Sequence, residues 1–429
     1  MPLRRSAKTG KAVESSEKSV KVTIWSVTFV ALLIVNFLRM MGQSIANTII
    51  PLYVYDLGAV ASIVGFAGGA FSITALLVRP FAGPAFDSYS KKMLFTVFGF
   101  VMAVAGFAYA FVHSVAGVII VRLLHGIGMG CTAPLGMAIV SEILPEEKMA
   151  SGIGIYSLSM AVAQAIGPAY GIWSIGVIGY ALTFIIVGAF LTVTCFITIF
   201  FVEDVDKGKS LPPYQLKMSR AFSKRAIGPT IVLGLQSFAY ACINSFMAIY
   251  GGLLGIEQIG LYFTVYALSM LIALSVIGKA ADKYGAHNVM LPAMVIFALS
   301  FVIIAYGHSL VWILVAAVVG AFGFGVCAPL SQTIVFKCVP VSQRGSASNT
   351  IYVGMDLGML TGPYVGGLMV EMFQVSLGSE VAGYSAMWLT LIVPVAAAIV
   401  LLVALRGRIK RYQAEVLEEM QAAGSAGEE

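Results

Sequence analysis

The chain has 429 residues, of which 59% are hydrophobic and only 11% charged, with a mean hydropathy of +0.93. A soluble domain carries about a quarter charged residues, so that class is excluded, and the net charge of +6 belongs to a membrane setting rather than to nucleic-acid binding. Five cysteines without a CxxC, and four histidines without ligand spacing, indicate neither disulfides nor a metal site. No cofactor is expected. With short loops and no nucleophile–base constellation, no enzymatic activity is expected either.

A membrane span needs about 20 apolar residues to cross about 30 Å of hydrocarbon, and the sequence predicts twelve such spans. A polar, basic tail over 1–21 comes first. No cleavage motif of small residues follows the first span, so that span is read as retained. Spans over 22–50, 59–80, 93–113, 115–143, 149–173 and 176–201 form a first bundle within 22–202. A polar connection over 203–225, containing Pro212 and Pro213, divides the chain. Spans over 226–251, 258–279, 288–307, 309–336, 345–370 and 383–405 form a second bundle within 226–405. The tail over 406–429 is an amphiphilic stretch expected to fray. The fold class is an all-α membrane protein of two six-helix bundles.

Of the 26 Lys and Arg, Arg39 and Arg122 lie within spans. All others fall in the tails, the central connection and alternate loops, with Arg79 counted at the inner end of span 2. The intervening loops hold none. By the positive-inside rule both termini are cytoplasmic, in a multi-pass protein of the cell membrane.

The two bundles are copies. A shift of 195 residues brings Gly83 onto Gly278, Asp87 onto Asp282, Ala133-Pro134-Leu135 onto Ala328-Pro329-Leu330, and Gly167-Pro168 onto Gly362-Pro363. Copies separated by an even number of spans share one orientation. Parallel repeats with a site between them are a secondary-transporter design.

Ionisable residues inside a bilayer mark function. Arg39 and Asp356 each lie 12 residues from a span end, about 18 Å deep at 1.5 Å per residue. Arg39 belongs to a stripe with Asn36, Gln43 and Asn47 on one helix face. Span 7 repeats the pattern with Gln236, Tyr240 and Asn244. Such faces should line a cavity, with Gln164, Tyr262 and Tyr266 as further lining candidates. Asp356 is read as a proton carrier, because neutralisation is the cheapest response to burying a carboxylate, or as the ion-pair partner of Arg39. Arg122 is a second coupling candidate, and His125 beside it is read as a buried neutral histidine.

The stretch Gly83-Pro-Ala-Phe-Asp87-Ser-Tyr-Ser-Lys91-Lys92 and its copy from Gly278 to Asp282 resemble the GxxxDxxGRR/K motif of the major facilitator superfamily. Arg122-Leu-Leu-His125-Gly126 is similar to its RxxQG. Gly154, Ala163, Gly167-Pro168 and Gly171 in span 5 resemble the G-x8-G-x3-GP-x2-GG motif of its antiporters. Asn349, Gly358, Gly362-Pro363 and Gly366-Gly367 repeat that frame in span 11. The nearest resemblance is the twelve-span drug and metabolite:proton antiporter branch.

That resemblance implies a monomeric, proton-coupled exporter of a small organic molecule. Spans 1 and 7 would line its cavity, and Arg122 would take part in proton coupling. Gly83, Asp87, Lys91, Lys92, Gly278 and Asp282 would form cytoplasmic latches, and the GP motifs would seal the outer interface between halves. The alternatives are proton-coupled uptake of a metabolite or organic anion and, more remotely, a receptor or scaffold on the same fold.

Overall fold

The computed structural model describes residues 24–145, 148–208, 210–211, 213–215, 222–340 and 344–425. Every regular element among them is a helix. Hydrocarbon offers no water to backbone N–H and C=O groups, so a spanning segment satisfies them within itself. Ten of the helices are long and apolar enough to cross a membrane.

Span 1 is Val27–Asp56, opened by the Ser26 hydroxyl, which accepts from the Phe29 amide at 3.1 Å. Span 2 is built from Ala61–Gly69 and Phe71–Ser88, span 3 is Lys91–Ala108 and span 4 is Val115–Ile143. One helical stretch, Met149–Phe201, holds both spans 5 and 6. In a straight helix, residues nine apart are separated by about 13.5 Å, yet the Thr183 hydroxyl donates to Ser174 Oγ at 3.0 Å. The chain therefore reverses between them, at Gly179, whose φ of 76° suits glycine. The outer turn expected at 174–175 lies there instead.

The second half has Ile227–Leu253, Leu261–Tyr284, Ala286–Tyr306, Leu310–Lys337 and Arg344–Leu377 as spans 7 to 11. Span 12 is built from Glu380–Thr390 and Ile392–Ser425. Together these helices accommodate the twelve passes.

Two elements outrun their expected ends. Span 2 continues through Pro80 and Pro84 to Ser88, so Arg79 is not a loop cation but lies more than two turns inside a helix. Span 12 does not fray at Arg406. Its helix carries on to Ser425, with Ile409 and Val416 buried against the second half and Arg225 joined to Glu415 at 3.0 Å. The tail over 1–21 and much of the central connection lie outside the described residues.

Glycine sets the closest helix packing. Gly354, Gly358 and Gly362 recur every fourth residue and lie on span 7, where added Cβ atoms would strike Thr230, Gly234 and Phe238. Gly167 and Gly171 lie on span 1 against Ser44, Ile45 and Ile49. In lipid, small residues that let backbones approach are what hold helices together. Each glycine row thus welds two spans of the same half.

Candidate functional site

The halves meet along spans 2 and 11 and along spans 5 and 8. The central feature of this seam is an ion pair: Arg79 Nε donates to Asp356 Oδ2 at 2.6 Å, and the two side chains are 11% and 7% exposed. Arg79 comes from span 2 and Asp356 from span 11, so the pair bridges the halves. The Arg79 guanidinium also lies over the Tyr352 ring, 4.6 Å from its centroid, a cation–π contact one turn before Asp356. The expected pairing of Asp356 with Arg39 is corrected. Arg39 matches Asp356 in depth along its helix, whereas Arg79 reads from the sequence as a cation at the inner end of span 2; the side chain that points across the seam to Asp356 is nevertheless Arg79.

Arg39 lies on the same side of the molecule with a different set of neighbours. Its Nη2 donates to Asn36 Oδ1 at 3.0 Å. Asn36 in turn donates to the Tyr156 carbonyl at 3.1 Å and to Ser159 Oγ at 2.9 Å, which fixes the stripe of span 1 on span 5. The Tyr156 hydroxyl and Tyr352 also face the Arg39 guanidinium. Nε and Nη1 of Arg39 make no hydrogen bond, although the residue is only 4% exposed.

Arg122 is enclosed inside the first half. Its Nη2 donates to Asn47 Oδ1 at 2.7 Å and to the Gly68 carbonyl at 3.0 Å, and the guanidinium lies over Phe71. His125 is fully buried beside Tyr109, 3.4 Å from its hydroxyl. The structure thus brings Asn47 to Arg122 and Asn36 to Arg39, splitting one predicted stripe between two arginines. Gln43 and Gln164 are half-buried.

In the second half, Tyr240 stacks on Phe324 at 4.1 Å and faces Tyr266, which stacks on Tyr262. Asn244 lies beside the Tyr240 hydroxyl. Both polar atoms of Gln236, the Ser237 hydroxyl and the hydroxyls of Tyr262 and Tyr266 are buried without partners. Buried polar groups are nearly always paired, so these groups on spans 7 and 8 stand out.

The inner motif residues behave differently from one another. Gly83 and Gly278 sit in open surroundings. The side chains of Asp87 and Asp282 lie outside the described residues. Lys91 joins Glu142 and Asp206, each at 2.9 Å, and Lys92 donates to the Ile199 carbonyl at 2.8 Å. Glu142 and Ile199 belong to the first half and Asp206 to the start of the central connection, so both lysines brace spans 3, 4 and 6 and the chain leaving span 6.

The GP motifs lie in the parts of spans 5 and 11 remote from the termini, and their residues divide between packing within a half and the seam. Gly167, Gly171, Gly358, Gly362 and Gly366 face their own halves, and Gly154 has no near neighbour. Pro363 and Gly367 of the span 11 motif, and residues alongside the span 5 motif, cross over. A Cβ at Gly65 would collide with the Pro363 carbonyl, and one at Gly367 with Ala61 and Ser62. A Cβ at Gly260 of the span 8 entry would stand 3.1 Å from Ala169 Cα, while Thr264 donates to the Ala165 carbonyl at 3.1 Å. Pro168 and Pro363 lie within their helices.

Two acidic residues that sequence reasoning passed over complete this seal. Glu371 accepts from the Ser62 amide at 2.7 Å, satisfying a free donor in the first turn of span 2, and Glu380 accepts from Tyr55 at 3.0 Å. Their position in the last long outer loop, where no cation offsets them, was the available signal.

Two repeated helical bundles that close on a buried polar seam within a membrane define a membrane transporter. The chain belongs to the Major Facilitator Superfamily, whose sequence profile matches residues 32–257 and 230–424. It is 27% identical over 359 residues to a multi-drug resistance efflux pump PmrA homolog of Lactococcus lactis subsp. lactis (strain IL1403), covering 80% of this chain and 84% of that protein. It is also 27% identical over 290 residues to the staphylopine export protein of Staphylococcus aureus (strain Mu50 / ATCC 700699), covering 65% and 71%. The crystal structure of the nucleoside transporter NupG superposes with a TM-score of 0.73 at 16% identity, over 88% of this chain and 98% of that one. That likeness concerns the fold. The protein is thus a multi-pass membrane transporter and not an enzyme.

Proposed function

We propose that this transporter exports a small organic molecule from the cytoplasm in exchange for protons, with both termini cytoplasmic and a single chain sufficient, since one chain contains both halves of the seam. The observation that carries the reading is the Arg79–Asp356 pair, a buried carboxylate of one half held by a guanidinium of the other. The names of the relatives, a drug efflux pump and an export protein, supply the direction.

The ionised carboxylate fastens span 11 to span 2. A proton delivered to Asp356 removes the charge that holds Arg79, and the seam can part; loss of the proton on the other side re-forms it. The energies match. Breaking a buried pair by removing one charge costs about 3–5 kcal/mol. One proton crossing about 100 mV yields about 2.3 kcal/mol, and each pH unit adds about 1.4 kcal/mol. The polar groups Asn36, Gln43, Asn47, Gln164, Gln236, Tyr240, Asn244 and Tyr266, some paired and some free in this state, would line the path. Arg122, held only by neutral groups, would keep spans 1, 2 and 4 in register around it.

Flux into proteoliposomes with an imposed pH gradient, screened over a broad substrate panel, tests this. Asp356→Asn should retain substrate exchange and lose gradient-driven accumulation. Accumulation by Asp356→Asn that follows the gradient as wild type does would remove Asp356 as the carrier.

A further inference from the structure

Away from the two membrane faces, the described part of the bundle carries three guanidinium groups, Arg39, Arg79 and Arg122, against one carboxylate, Asp356. Arg79 takes that carboxylate. Arg122 is shut inside the first half by Asn47, Gly68 and Phe71. Arg39 is left at the seam, between span 1, Tyr156 of span 5 and Tyr352 of span 11. Nε and Nη1 of Arg122 are also without partners, but that residue is fully buried within one half. Arg39 is 4% exposed at the seam, has the Tyr156 hydroxyl beside it, and has no hydrogen-bond acceptor placed on its own Nε and Nη1. Those two nitrogens carry three of the five N–H donors of a guanidinium. A buried cation with free donors is costly unless an anion meets it, and a planar carboxylate is the group a guanidinium fits best.

We infer that Arg39 is the recognition point for a carboxylate on the cargo, so that this transporter carries an organic anion rather than a lipophilic cation. A cationic cargo would find the positive Arg39 at the seam and Asp356 already occupied by Arg79. An anionic cargo completes the hydrogen bonding of Arg39 and offsets the excess of positive charge. The Tyr156 and Tyr352 hydroxyls, which face the guanidinium, can add hydrogen bonds to such a carboxylate. The inference rests on the transporter reading but needs neither its direction nor its proton coupling.

The test is equilibrium binding to the full chain in lipid nanodiscs without any gradient, read by fluorescence anisotropy. Three xanthene probes separate charge from shape: fluorescein, its methyl ester, and the cation rhodamine 6G. Fluorescein should bind at least about tenfold more tightly than either of the others, the loss expected when a charged hydrogen-bonding group goes missing. Arg39→Gln should abolish that preference, weakening fluorescein while rhodamine 6G, no longer facing a positive guanidinium, binds more tightly. Arg39→Lys keeps the charge but not the planar fork, should weaken fluorescein about threefold, and serves if Arg39→Gln does not fold.

Wild-type binding of rhodamine 6G as tight as that of fluorescein or tighter, no binding of fluorescein, or a folded Arg39 variant with wild-type fluorescein affinity overturns the inference. Fluorescein selectivity through Arg39, together with gradient-driven flux unaffected by Asp356→Asn, would leave the anion site standing and remove the coupling. The reverse pair of results would do the opposite.

Discussion

Asp356 is 5% exposed and its carboxylate has one cationic partner among the described residues, Arg79 at 2.6 Å. Removing that partner leaves a lone buried charge, which costs about 3–5 kcal/mol, whereas removing both charges leaves none. Arg79→Gln should therefore lower the thermal midpoint of the purified transporter, and adding Asp356→Asn should restore most of it. Arg39→Gln combined with Asp356→Asn should instead be additive within about 0.5 kcal/mol, as for groups without a shared bond. Differential scanning fluorimetry on these single and double variants decides between them, and additivity of Arg79 with Asp356 would discard the bridge. The importance of Asp356 was legible in the sequence, because a carboxylate in an apolar span stands out. Its partner was not. Pro80 read as the end of span 2, whereas in lipid, neighbouring helices can satisfy the backbone groups that a proline frees, and the helix runs on to Ser88. With Arg79 counted at the end of span 2, Arg39 was the cation matched in depth, and depth says nothing about which way round a helix a side chain points.

The spans and the repeat were legible because hydropathy and charge asymmetry are collective signals that survive small errors at each end. Contacts between elements were less so. The GP motifs named the right helices, yet most of their glycines weld spans 5 to 1 and 11 to 7, while Gly367 and the Pro363 carbonyl of the motif, with Ala165 and Ala169 beside its other copy, cross to the other half. A motif records that a close approach is needed and not which neighbour makes it. The two copies of the motif predict different tolerances. An added Cβ at Gly362 would strike Phe238, whereas Gly154 has nothing within 4 Å. Gly362→Ala should cost about 1–3 kcal/mol through overpacking. Gly154→Ala should be neutral or stabilising by up to about 1 kcal/mol from helix propensity. Thermal midpoints of the two variants, with size-exclusion profiles, make the comparison. Equal effects would mean that spans 7 and 11 can yield where they are drawn tight. The helical tail shows the same limit: Ile409 and Val416, seven residues apart on one face, and the Arg411–Glu415 pair were visible signs of a packed helix, masked by the polar, glycine-containing end of the chain.

At the scale of the molecule, the ends of the two halves remote from the termini, the outer ends in the proposed orientation, are in contact through spans 2 and 11 on one side and spans 5 and 8 on the other. A transporter that alternates between sides must break one of these seals to open outward. Spans 5 and 8 offer a way to lock it. A Cβ at Gly260 would lie 3.6 Å from the Ala169 Cβ, within the range of about 3.5–4.5 Å that a disulfide requires. The five native cysteines are all buried and unbridged, so a pair introduced at these sites has no exposed competitor to misdirect it. The double variant Ala169→Cys with Gly260→Cys should cross-link on mild oxidation, as a mobility shift after cleavage in the central connection would show. Transport should stop, while binding from the cytoplasmic side should persist, because the lock holds only the outer gate. A membrane-impermeant phosphine added outside intact cells should restore transport, since the cysteines lie on the outer side if the termini are cytoplasmic. Rescue only after permeabilisation would reverse the orientation. Full transport by the cross-linked protein would show that the outer ends of spans 5 and 8 move together, and that the cargo leaves by another opening.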